Sequence, residues 1–230
     1  MPAPQKERFI AALLRTPHAQ PTLFEPFIHP AIAEQLIWRR GPQLWDTPEH
    51  YVDTMVSLRE RTQADIVVLD ARTYCPRTFN LLLAAAEARV PAASGCVILC
   101  QSQTQITACA QSPIVCAVGG YGDTHPTHHL PFIRMDGDIR GAIAEGAVGW
   151  FASDGAETYF SEHGSRITVC GGLGAQTLAA AEPLAIHRRV EALLSASANG
   201  CGYLIGSGGT VDASAYLSLI SMLGIYIRHH

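Results

Sequence analysis

The chain has 230 residues, of which 48% are hydrophobic and 16% charged, and its net charge is −4. That is enough apolar material for a large core and too little charge for a disordered chain. The balance gives no reason to expect nucleic acid or an anionic membrane as a partner, and no apolar run reaches the roughly 18 residues that a membrane span needs. Seven cysteines form no C-x-x-C pair. With no export signal in MPAPQKERF, they predict reduced, mostly buried thiols and a cytoplasmic setting.

In chain order, residues 5–15 (QKERFIAALLR) mix charge and apolar side chains at helical spacing and predict a helix that covers one end of the fold. Residues 22–28 (TLFEPFI) read as the first strand, ending at Glu25, Pro26 and His29. Pro30 can then open a helix that carries Glu34, Leu36 and Arg39. Asp46-Thr47-Pro48-Glu49 is a helix start with Asp46 as the capping residue; Val52, Met55 and Val56 face the core and Arg59, Glu60 and Arg61 the solvent. The run Asp65–Asp70 is an apolar strand closed by an acid. A helix over 79–87 follows, then strands at 96–100, 114–118, 130–135 and 148–152. The spacer between the strands at 96–100 and 114–118 is short for a crossover helix. Two further strand–glycine turn–helix units close the chain. Ile167–Val169 breaks into Gly171-Gly172, with a helix from Pro183; Tyr203–Ile205 breaks into Gly206-Ser207-Gly208-Gly209, with a helix from Asp212.

About eight apolar strands separated by helix-length spacers are the pattern of a parallel sheet buried on both faces. The expected fold is a compact (β/α)8 TIM barrel with an N-terminal helix, filling residues 1–230 as a single domain. In such a barrel, chemistry sits at the C-terminal ends of the strands. Those ends carry Glu25, His29, Asp70, Arg72, Tyr121, Asp123, Arg134, Asp136, Asp154, Cys170 and Ser207. Asp136 and Asp154 each precede a glycine and also fit as turn residues. Asp70 is followed by Ala71 with no turn signal around it, so it is the strongest candidate. The run Asp123–His129 (DTHPTHH) is rich in histidine, but its spacing matches no catalytic motif and it reads as a solvated loop. No P-loop, nucleophile elbow or dinucleotide fingerprint is present. Amide groups at Gly171 and Gly172 can approach a bound ligand.

The order Gly171-Gly172-Leu173-x-x-Gln176-x-Leu178, then a helix, then Gly200-x-Gly202-Tyr203 and Gly206-Ser207-Gly208, resembles the C-terminal third of the uroporphyrinogen decarboxylase family. That family includes corrinoid and coenzyme M methyltransferases and is related to cobalamin-independent methionine synthase. The resemblance implies that Asp70 is the aspartate that stabilises positive charge on a protonated pyrrole and that Tyr121 assists it. The chain departs from the family in lacking the arginine-bearing R-Q-A-G-R segment, for which Arg39 and Arg40 are the nearest substitutes. It also keeps only Cys170 of the three zinc ligands of the methyltransferase branch, too few for a tetrahedral site, so neither metal nor cofactor is expected. The reading implied is a decarboxylase-like lyase, distinct from the housekeeping enzyme, acting on a carboxylated pyrrole-like or other small anionic substrate. Asp70 and Tyr121 would be catalytic, with substrate contacts from Glu25, His29, Arg39, Arg40, Arg72, Arg134, Asp154, Gly171, Gly172 and Ser207. The alternatives are a corrinoid-dependent methyltransferase and a non-catalytic ligand-binding barrel. The expected partner is a small molecule, with a homodimer and a corrinoid protein left open.

Overall fold

The computed structural model describes residues 5–16, 22–25, 28, 30–37, 46–197 and 202–210. In chain order the elements are α1 (Gln5–Leu13), β1 (Thr22–Leu23), α2 (Pro30–Ile37), α3 (Pro48–Thr62), β2 (Val67–Asp70), α4 (Pro76–Arg89), β3 (Cys96–Cys100) and α5 (Gln103–Cys109). They continue with β4 (Val115–Gly120), β5 (Phe132–Arg134), α6 (Ile139–Ala144), β6 (Gly149–Ala152), α7 (Ala156–His163), β7 (Thr168–Leu173), α8 (Ala175–Ala180), α9 (Pro183–Ser197) and β8 (Tyr203–Ser207). All eight strands run parallel in one sheet of order β1-β8-β7-β6-β5-β4-β3-β2. The sheet curls as in a (β/α)8 barrel, with helices between successive strands except β4 and β5, which a helix-free loop joins. The helix expected from Asp212 lies outside the described residues.

Some elements differ from their sequence reading for local reasons. β1 is shorter than predicted, and Pro26, three residues past its end, has no N–H to give to a ladder. The cap of α3 is Thr47, not Asp46: its hydroxyl accepts from the His50 N–H at 3.2 Å, and Pro48 takes the first helical position. The short spacer after β3 holds a seven-residue helix, α5, started by a capping box between Ser102 and Gln105. Arg59 is not on the solvent face of α3; it lines a cleft beside β1 and β2. No helix among the described residues is long and apolar enough to cross a membrane.

The buried side chains divide into two clusters because successive strand residues point to opposite faces. Val67 and Leu69 of β2 pack outward under the helices, whereas Ile66 and Val68 pack inward. The inward cluster also holds Phe24, Val97, Leu99, Ile133, Met135, Phe151 and Leu204, and it is completed by Phe9, Ala12 and Leu13 of α1. Phe9 and Leu13 are fully buried, and the Phe9 and Phe24 ring centroids are 6.2 Å apart. The polar contacts of α1 lie at the N-terminal ends of strands. The Lys6 N–H donates to Ala93 O at 3.0 Å, Thr168 Oγ1 donates to Leu13 O at 2.8 Å, and Arg8 pairs with the fully buried Asp65. α1 therefore closes the N-terminal mouth of the barrel.

The curl stops short of a complete ring among the described residues, since β1 pairs only with β8 and β2 only with β3. A narrow, shallow cleft follows this seam, lined by Leu23 and Glu25 on one side, Ile66 and Val68 on the other, and Met55, Leu58 and Arg59 of α3.

Because Phe9 fills the closed end of the barrel, Phe9→Ala should destabilise the protein by about 3–5 kcal/mol, measured as a lowered urea midpoint with an unchanged slope.

Candidate functional site

Asp70 is the last residue of β2. With Ile66 and Val68 facing inward, the two-residue period turns Asp70 inward as well, at the open mouth. Its backbone N–H donates to the Tyr51 phenol oxygen at 2.7 Å, which ties the strand end to α3. Its carboxylate holds Arg72 in a two-point grip: Nε donates to Oδ1 at 2.9 Å and Nη2 to Oδ2 at 2.6 Å, while the Arg72 N–H donates to Oδ1 at 3.1 Å. The Arg72 guanidinium carbon lies 4.8 Å from the centroid of the Tyr121 ring, within cation–π range.

The electrostatics follow from these contacts. The hydrogen bonds to Asp70 raise the Arg72 pKa beyond its ordinary value, against the opposing effect of burial. Burial raises the Tyr121 pKa above its ordinary value, and nearby Arg72 offsets this only in part. Tyr51, also buried, is raised for the same reason. Both phenols are therefore neutral donors throughout the physiological range. The Asp70–Arg72 pair is about one-third exposed on each side, so its contribution to stability is small. What the pair does is fix the direction of a guanidinium at the barrel mouth.

The other sequence candidates lie apart from this cluster. Glu25 is buried beyond the end of β1, and its carboxylate accepts from the Ser207 N–H at 2.9 Å and from the Ser207 hydroxyl. Glu25 and Ser207 thus join β1 to β8. Gly171 and Gly172 have φ of +78° and +94°, and a Cβ on Gly172 would stand 2.1 Å from the Ala156 Cβ. Glycine is required there so that β7 can meet the start of α7. Arg134 is 4% exposed and, with Ile133 and Met135 facing inward, it points into the helix layer. There it binds Glu145, the Thr124 carbonyl at 2.6 Å and the Gly122 carbonyl at 2.9 Å, and it fastens the loop after β4. His29, Arg39 and Arg40 lie outside the described residues.

Asp154 works as a loop fastener. It accepts from the Gly155 N–H at 2.9 Å, the Gly174 N–H at 3.2 Å and the Thr177 hydroxyl at 3.2 Å, and it pairs with Arg189 at 2.9 Å. Arg189 also holds Glu157 at 2.6 Å. Burial alone would raise both carboxyls, but hydrogen bonds from backbone N–H groups and Arg189 outweigh it and both end below their ordinary range.

Two residues at the mouth escaped the sequence reading. Tyr51 looks like an ordinary helix core residue until its hydroxyl is found on the Asp70 N–H. Gln105 carries a signal that could have been used, since Ser102-x-x-Gln105 matches the capping-box pattern. Among the described residues no three His, Cys, Asp or Glu side chains are grouped to hold a metal. In the histidine-rich loop, the His125 N–H donates to Gln103 Oε1 at 2.9 Å. Cys170 is fully buried inside the barrel, and burial raises its thiol pKa. This donor set does not fit thiolate-bound zinc.

Carboxylates with depressed pKa contribute stability that is present above the unfolded range, near pH 4, and lost as pH falls through the folded values. Arg189→Gln should lower stability near pH 6 by under about 1 kcal/mol, the carboxylates being substantially exposed. It should also flatten the stability loss below pH 4, read from thermal melts across pH.

No family model matches the sequence, and no curated protein does either. Among solved structures, the chain is similar to one described as a methyltransferase from Methanosarcina mazei, with 10% identity and a TM-score of 0.65 over 98% of this chain and 100% of the other. At that identity the likeness is one of fold.

Proposed function

We propose that this chain is a methyltransferase of the (β/α)8 class, taking a small substrate at its C-terminal mouth and exchanging a methyl group with a corrinoid protein. The observation that carries this reading is the match in fold to a methyltransferase over nearly the whole of both chains. The comparisons give no support to the decarboxylase reading.

The inward-facing cluster supplies the means. Arg72, aimed by Asp70, holds an anionic group of the substrate. Tyr121, neutral because it is buried, donates a hydrogen bond to the reacting heteroatom without competing as an anion. Beneath them, Leu99, Met135 and Phe151 form an apolar floor that keeps water from the transfer. The corrinoid of the partner protein would give up or accept the methyl group. Thiol activation by zinc forms no part of this scheme, because Cys170 is sealed in the barrel.

The test is to mix the purified protein with methylcobalamin and a panel of thiols and amines, and in reverse with reduced cobalamin and methylated donors, following the corrinoid spectrum. Transfer faster than the protein-free rate is the expected result. Absence of transfer with every pair, accompanied by carbon dioxide release from a pyrrole carboxylate, would overturn the proposal in favour of a lyase.

Asp70→Asn keeps the size of the side chain and removes the charge that grips Arg72. It should fold normally and lose tenfold or more in kcat/KM, about 1.4 kcal/mol. A variant that melts early yet retains full activity would make Asp70 a structural residue only.

A further inference from the structure

The loop from β2 to α4 carries Arg72, and a side chain from the neighbouring helix α5 holds it in shape. Gln105, in the first turn of α5, is buried. Its Nε2 donates to Ala71 O at 2.9 Å and to Tyr74 O at 3.1 Å, and its Oε1 accepts from the N–H groups of Gln101 at 2.8 Å and Ser102 at 3.2 Å. Both amide hydrogens and both lone pairs are thus used. The network also fixes the orientation of the amide: turned over, its NH2 would face two N–H donors and its oxygen two carbonyls.

A helix cap needs only the oxygen. In the capping box the Ser102 hydroxyl accepts from the Gln105 N–H, and Oε1 receives the N-cap N–H. The two Nε2 bonds do something else, since they cross to the next strand–helix loop. They brace a turn in which the Tyr74 N–H donates to Ala71 O at 3.1 Å, and Arg72 lies within that turn. Tyr51 holds the strand end of the same loop through Asp70. Arg72 is therefore flanked by two anchors on different helices, α3 before it and α5 after it.

We infer that Gln105 is a positioning residue: its two Nε2 hydrogen bonds hold residues 71–74 so that the Arg72 guanidinium stays between the Asp70 carboxylate and the Tyr121 ring, facing the anionic group of the substrate. The kinetic part of this inference rests on the methyl-transfer reading; the structural part does not.

Gln105→Glu separates the two roles of this side chain. Glutamate serves a capping box as well as glutamine does, but it removes both donors. Ser102→Ala does the reverse, breaking the cap and leaving the Nε2 bonds. For Q105E, amide hydrogen exchange at residues 72–74 should rise tenfold or more relative to the amides of β3, and the Arg72 Nε–H NMR signal should shift and broaden. In the transfer assay, KM should rise at least tenfold with kcat within threefold. S102A should leave all three readings near wild type. Should Q105E fail to fold, Gln105→Met, with similar length and no donor, is read by exchange and NMR in the same way. Uniform faster exchange across α5 and β3 with no selective change at 72–74, or equal effects from S102A and Q105E, would reduce Gln105 to a helix cap. If the wild-type protein transfers no methyl group, the functional reading falls, while exchange and NMR still decide whether Gln105 holds the loop.

Discussion

A parallel sheet curled into a barrel must fill its own interior, and at the N-terminal end this protein does so with a helix. Phe9, Ala12 and Leu13 of α1 join the inward cluster beside Phe24, Val97 and Leu204, and the Arg8–Asp65 pair and the Thr168 hydrogen bond hold the helix in place. The polarity of the molecule follows from that packing. With one end plugged by apolar side chains, Asp70 and Arg72 lie together at the other.

At the open end, the important distinction is between polar groups that fasten loops and polar groups that remain presented to the mouth. Arg134, Asp154 and Arg189 belong to the first kind, with their hydrogen bonds spent on carbonyls, N–H groups and one another. Asp70, Arg72 and Tyr121 belong to the second. A two-point carboxylate grip combined with an aromatic face restricts a guanidinium far more than either contact alone. A guanidinium restricted in advance would lose less entropy on meeting an anion.

The sequence exposes the barrel because its strands are long apolar runs at regular intervals, and it exposes Asp70 because an acid abruptly ends such a run. It hides the direction in which a strand-end residue points. In a sheet buried on both faces the alternation of polar and apolar residues disappears, so Arg134 and Asp70 look alike in sequence, although one enters the helix layer and the other the mouth. Tyr51 and Gln105 are hidden for a different reason. Their partners, Asp70 and the carbonyls of Ala71 and Tyr74, stand 19 to 34 residues away in the chain, and local pattern carries no trace of such contacts. Asp46 and Thr47 form an intermediate case: both are good capping residues, and the backbone at Pro48 selects between them.

Among the described residues no ladder joins β1 to β2, and this seam gives the barrel a mechanical property that a closed ring lacks. A fully laddered cylinder behaves as a hoop, and its girth cannot change without breaking hydrogen bonds. A cylinder slit along one line can widen or narrow by sliding the two lips, at no cost in ladder bonds. Here the lips are the strands that lead to Glu25 and Asp70, with the cleft against α3 between them. Any change of aperture is therefore concentrated beside the guanidinium grip, while the strands from β3 to β8 keep their spacing.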